Sequence, residues 1–133
     1  MKTILSILFI SILSMNFAQN LTPEQIVQHN LEAYNKRDLL DFMSWFSDDI
    51  ALYSFSEMKE IARGKEEIEK LYTELFAVSP NLHSTIVKRI VFDNKVIDHE
   101  SIVGRKGSTE ILEIVLIYEV KDGKIFKMTS IRK

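Results

Sequence analysis

From Leu82 to Arg132 the chain reads as four strands in succession, and this run constrains the fold more than any other feature. The strands are Leu82 to Phe92, Val96 to Gly104, Glu110 to Val120 and Lys124 to Arg132. Asp93-Asn94 and Asp122-Gly123 separate two pairs of them as hairpin turns, the second a strong two-residue signal, and Gly104 to Ser108 is a looser turn. The third strand runs Ile111-Leu112-Glu113-Ile114-Val115-Leu116-Ile117-Tyr118, apolar on both faces, so both faces need a cover. Helices supply one cover. Water over Val115 and Ile117 is unfavourable, so the expected second cover is another copy of the chain.

Three helices come first. Thr22-Pro23-Glu24-Gln25 carries a capping residue, a first-turn proline and a glutamine placed to close a capping box. The helix it opens runs to about Lys36, with Ile26, Val27, Leu31, Ala33 and Tyr34 as its inward stripe. Asn30 lies inside that stripe. It either bonds a neighbouring backbone group or faces a cavity, since both satisfy a buried amide. Asp38 caps a short second helix carrying Leu39, Leu40, Phe42, Met43, Trp45 and Phe46, dense enough to imply burial on more than one side, and Ser47-Asp48-Asp49 ends it. A strand follows from Ile50 to Phe55, then a polar loop over 56–63. Gly64 precedes the third helix, Lys65 to Val78, striped by Ile68, Leu71, Tyr72, Leu75 and Phe76 and stopped at Ser79-Pro80.

The second long strand holds the most chemistry, Asp98-His99-Glu100 between apolar ends. Strand alternation sends His99 to one face and both acids to the other. His99 shares its face with Ile97, Ser101 and Val103, the pattern of a polar group set into an apolar wall, and it is the expected polar floor of a cavity. Lys88 or Arg89 lies beside it, depending on whether the Asp93 turn holds two residues or three. A metal centre is not expected: His83, His99, Asp98 and Glu100 are the available ligands here, and three cannot converge from one strand.

With no cysteine, disulfides, thiol nucleophiles and thiolate metal sites are excluded, and the 46% apolar content must build the core unaided. A formal net charge of −2 argues against nucleic acid or anionic membrane as a partner. The start resembles a secretory signal: Lys2, an apolar run from Ile4 to Met15, then Phe17-Ala18 before Gln19. Cleavage after Ala18 is expected, although Asn16 departs from the usual small residue. A signal over 1–18 and a single domain over 19–133 follow, with the mature protein secreted or periplasmic and free of the membrane.

Helix, short helix, strand, helix and a four-strand meander make an α+β order. The segments Ala33-Tyr34-Asn35-Lys36-Arg37-Asp38-Leu39, Phe46-Ser47-Asp48-Asp49-Ile50 and Arg63-Gly64-Lys65-Glu66-Glu67-Ile68 resemble the nuclear transport factor 2-like superfamily, in its SnoaL-like and ketosteroid-isomerase-like branch. The resemblance covers nearly all of 19–133. It implies a cone-shaped curved sheet, mixed or antiparallel, wrapped around three N-terminal helices, with an apolar pocket inside and dimers through the convex face. The isomerases' tyrosine, aspartate base and second acid fall here on Asn30, Ser54 and Leu116, so the steroid-isomerase mechanism is not expected. By the same resemblance His99, Leu112, Leu116, Tyr118, Met128 and Ser130 face the pocket.

Three functions fit these residues. One is a pocket protein for a small apolar or amphipathic molecule, bound by Asn30, Tyr34, Ser54, Tyr72, His99, Leu116, Tyr118 and Met128. A second is an isomerase, hydrolase or cyclase using His99 as acid-base in that pocket. The third is a non-catalytic homodimeric association domain whose cavity is filled by Trp45, Phe46, Tyr72 and Phe76. No glycine-rich phosphate loop or serine elbow is present, and no cofactor is expected.

Overall fold

The computed structural model describes residues 20–133, so the expected leader over 1–18 lies outside the described residues. Helix α1 spans Pro23–Lys36. Its capping box forms as expected: the Gln25 N–H donates to Thr22 Oγ1 at 3.2 Å, and the Thr22 N–H donates to Gln25 Oε1 at 2.9 Å. Arg37 closes the helix in the left-handed conformation, φ 54°. Helix α2, Leu39–Ser44, is capped by Asp38. It is shorter than its apolar content implied, and Leu40 is 85% exposed rather than buried. Trp45 leaves the helix and stacks on His29, ring centroids 4.9 Å apart, while its indole N–H donates to Asp41.

Strand β1 starts earlier than expected, at Phe46, and runs to Ser54. Ser47-Asp48-Asp49 therefore lies inside a strand rather than closing a helix. Its pairing with the last strand breaks between Phe46 and Ala51, and these polar residues bulge to solvent there. A strand also replaces the expected polar loop: β2, Lys59–Arg63, pairs antiparallel with β1 as a sheet edge. Helix α3, Lys65–Ala77, follows Gly64. The closing strands are β3 (His83–Phe92), β4 (Lys95–Val103), β5 (Leu112–Lys121) and β6 (Lys124–Arg132), close to the expected bounds. Asp122 and Gly123 both take positive φ, 52° and 75°, as a two-residue turn matched to strand twist requires.

The six strands form one curved, unclosed sheet in the order β2-β1-β6-β5-β4-β3. It is mixed: β1 runs parallel to β6, and every other pair is antiparallel. The main core joins Ile26, Val27 and Ala33 of α1 to Phe42, Phe46, Ile68, Val96, Ile125 and Met128. A smaller core holds Leu75, Leu82, Ile102 and Ile114. Tyr34, Tyr72, Phe76 and Leu116 pack against both, and the space between the two cores is not filled.

Candidate functional site

That space is an open cavity of about 730 Å³. Helix α1 contributes Asn30, Leu31 and Tyr34, α2 contributes Phe42, and α3 contributes Leu71, Tyr72 and Leu75. The sheet side is Leu52 and Ser54 of β1, Glu100 and Ile102 of β4, Leu112 to Tyr118 in alternation on β5, and Met128 and Ser130 on β6. Aromatic rings build the helical wall: Phe42 lies 4.4 Å from Tyr72 and 6.0 Å from Tyr34, centroid to centroid. Phe46 is buried in the main core and Trp45 stacks outside on His29, so neither plugs the cavity.

Of the residues expected at the pocket, Asn30, Tyr34, Ser54, Tyr72, Leu116, Tyr118 and Met128 line it, as do Leu112 and Ser130. Both readings of Asn30 hold together, because its amide donates to the Phe42 carbonyl at 3.1 Å while the side chain faces the cavity. Asn30, Ser54 and Leu116, the positions carried over from the isomerases, share the wall, and none is ionisable.

His99 does not reach it. Alternation along β4 is as expected, but the faces are exchanged: Val96, Asp98, Glu100 and Ile102 are buried, while Ile97, His99 and Ser101 lie on the outer face. The His99 side chain is 39% exposed and sits 3.9 Å from Glu113. The inward charges are tolerated because β3 brings partners to both. Arg89 grips Asp98 through two hydrogen bonds of 2.7 and 2.8 Å and is itself held by Gln28 of α1. Ser84 donates to Glu100 at 2.6 Å, and the Tyr118 hydroxyl lies 3.2 Å from the other oxygen. The Asp93 turn holds two residues, so Lys88 stands beside His99 and Arg89 beside Asp98, and neither lines the cavity.

Glu100 is thus the buried carboxyl on the cavity wall, and no local sequence pattern marks it as such. Burial pushes its carboxyl up to about 7, and the neighbouring Asp98 charge adds to this, while hydrogen bonds from Ser84 and Tyr118 pull the other way. The surrounding hydroxyls stay protonated: burial raises Tyr34 and Tyr118 well above their ordinary range, and burial with the Glu100 charge lifts Tyr72 to about 12. A carboxyl able to gain or lose a proton near neutrality, beside phenol donors in an apolar cavity, is suited to hydrogen bonding or proton transfer. Among the described residues no cluster of three or more histidine or acidic side chains could hold a metal ion, and no helix is long and apolar enough to cross a membrane.

The family model for the SnoaL-like domain matches residues 27–128. The chain belongs to the SnoaL-like domain family. Comparison with curated protein sequences finds no match. Among solved structures, this SnoaL-like domain is similar to an uncharacterised cystatin-fold protein from Novosphingobium aromaticivorans, with TM-score 0.77 and 21% identity over 84% of this chain and 99% of that one. It is similar to a putative ketosteroid isomerase from Kribbella flavida, TM-score 0.71 at 14% identity, covering 84% and 77% of the two chains. A third, TerC co-crystallised with polyporic acid, gives TM-score 0.71 at 16% identity over 84% and 91%. The fold is nuclear transport factor 2-like, shared with an NTF2-like protein from Cytophaga hutchinsonii at TM-score 0.72 and 12% identity over 87% of this chain and 94% of that one.

Proposed function

We propose that this SnoaL-like domain is an exported, homodimeric pocket protein that binds a small apolar or amphipathic molecule. The observation that carries the reading is the cavity of about 730 Å³ with largely apolar walls and a buried carboxyl, Glu100, among its few polar groups. That volume lies within the range of about 300–1,000 Å³ typical of small-molecule sites. A structural neighbour, TerC, was co-crystallised with polyporic acid, which supports the same use of this fold. The leader-like start at Lys2 and Ile4 to Met15 supports export. Recovery of the intact chain with Met1 from the cytoplasm of its host would overturn that part.

A second reading is favoured by one observation, the raised carboxyl of Glu100. An isomerase, hydrolase or cyclase on this pocket would use Glu100, not His99, as its acid-base group. Native mass spectrometry of protein purified from its host tests the binding reading, together with titration of steroids, fatty acids and polyketide-like aromatics. The expected result is a retained or titrated ligand that Leu116→Trp, which fills the cavity, loses. Empty protein that binds no member of the panel refutes it. Turnover of a bound compound that stops in Glu100→Gln, with binding intact, selects the enzyme.

A further inference from the structure

The cavity is charged unevenly along its length. At the inner end Glu100 has only neutral partners, Ser84 and Tyr118. Arg105, Lys106 and Arg132 also line the cavity, and with Lys106 and Arg132 exposed and Arg105 half-buried they stand at its open end. Among the described residues, none of the three forms an ion pair. Two acids, Glu57 and Glu74, share that mouth, and Glu57 is taken by Lys59 at 2.9 Å. The rim is therefore cationic on a chain whose formal net charge is −2.

The backbones bearing these cations are pinned. The Lys106 N–H donates to Ser79 Oγ at 2.8 Å, and Gly104 packs so closely on the Asn81 carbonyl that a Cβ could not be accommodated. The Arg132 carbonyl accepts from Ser56 Oγ at 2.9 Å. Their charges also reach inward, since Arg105 and Arg132 both pull down the tyrosines at 34 and 72 against the larger effect of burial. Two guanidiniums without an ion-pair partner among the described residues, carried on pinned backbone at the lip of an apolar cavity, suit a carboxylate whose body points inward.

We infer that the pocket selects amphipathic organic anions, seating a carboxylate on Arg105 and Arg132 at the mouth, an apolar body between the aromatic wall and β5, and a neutral hydrogen-bonding group at Glu100 and Tyr118. This rests on the pocket reading above and names its ligand class. Lys106 adds to the attraction as a mobile charge beside the two guanidiniums.

The test uses two bodies, 6-hydroxynaphthalene and dodecyl, each as carboxylate, methyl ester and primary amine, titrated by calorimetry into the wild type and the Arg105→Gln/Arg132→Gln double variant. The expected result is that, for at least one body, the carboxylate binds roughly tenfold tighter than its ester and the amine weakest of all. The double variant should lose that preference while keeping the ester's affinity. Raising the salt concentration on the wild type should shrink the preference in the same direction, and this holds even if the variant folds poorly. Esters or amines that bind as tightly as the carboxylates overturn the inference and leave the pocket reading standing. Failure of all six probes at millimolar concentration, with the wild type folded, overturns both.

Discussion

Glu100 makes the stability of this domain depend on pH in an unusual direction. Its carboxyl titrates near 7 when folded and near 4.5 when unfolded, so between those values the folded chain holds the extra proton. Stability contributed by this residue is full below about 4.5 and is lost as pH rises towards 7. Glu100→Gln removes the dependence, so the variant should melt near the wild type at pH 4.5 and above it at pH 8, by up to about 3 kcal/mol. Thermal melts of both proteins across that range check it, and a variant less stable at pH 8 than at pH 4.5 relative to wild type would contradict the assignment. Arg89→Ala acts differently. It strands Asp98, which has no exposure at all, and should cost about 3–5 kcal/mol in urea unfolding. His99→Leu should leave ligand affinity unchanged. The exchange of His99 for Glu100 has a local cause. Both faces of this strand have apolar ends, Ile97 and Val103 on one, Val96 and Ile102 on the other, and a lone imidazole looks more at home among them than two carboxylates. What seats the acids are Ser84 and Arg89, 16 and 9 residues upstream in sequence, and their placement depends on strand register rather than on any local pattern.

Among the elements, β3 shows how register is set. Ile86 stands opposite Glu100 and Arg89 opposite Asp98, so the strand carries one residue too many around Val87. Unbroken alternation from the buried Ser84 would have turned Lys88 inward, and the bulge turns Arg89 inward instead, over Asp98. Nothing in Val87 itself announces this. The helices were legible because their signals are local: the Thr22 box, the Asp38 cap and three-and-four spacing all lie within single turns. Strand β2 was not, since Lys59-Glu60-Ile61-Ala62-Arg63 buries only Ala62 and an exposed edge has no apolar alternation to read. Gly104 is the most demanding turn position. It holds φ 72° with no room for a Cβ, so Gly104→Ala should destabilise by more than about 1 kcal/mol and loosen the Arg105–Lys106 lip, measurable by denaturant unfolding.

At the scale of the molecule, the outer sheet face still lacks a cover. Ile90, Ile97 and Ile117 stand in register across β3, β4 and β5, with Val115 and Ile131 in the next row. We expect a second copy there. Sedimentation should find a dimer at micromolar concentration, and Val115→Lys with Ile117→Lys should give a folded monomer; a monomeric wild type would refute this. The strand order also has a kinetic side. Strand β6 lies between β1 and β5, so the sheet's two blocks, β1 with β2 and β3 through β5, have no hydrogen-bonded connection until the last of the six strands arrives. During synthesis the β3–β5 meander and the β1–β2 pair can form from neighbouring segments, but β1 must wait for its second partner more than 70 residues downstream, Ser54 for Ser130. A chain stopped at Gly123 therefore keeps every helix and five strands yet exposes the open edges of β1 and β5 together. Such a fragment should aggregate rather than fold, and a ribosome-bound chain should stay sensitive to protease until β6 has cleared the exit tunnel.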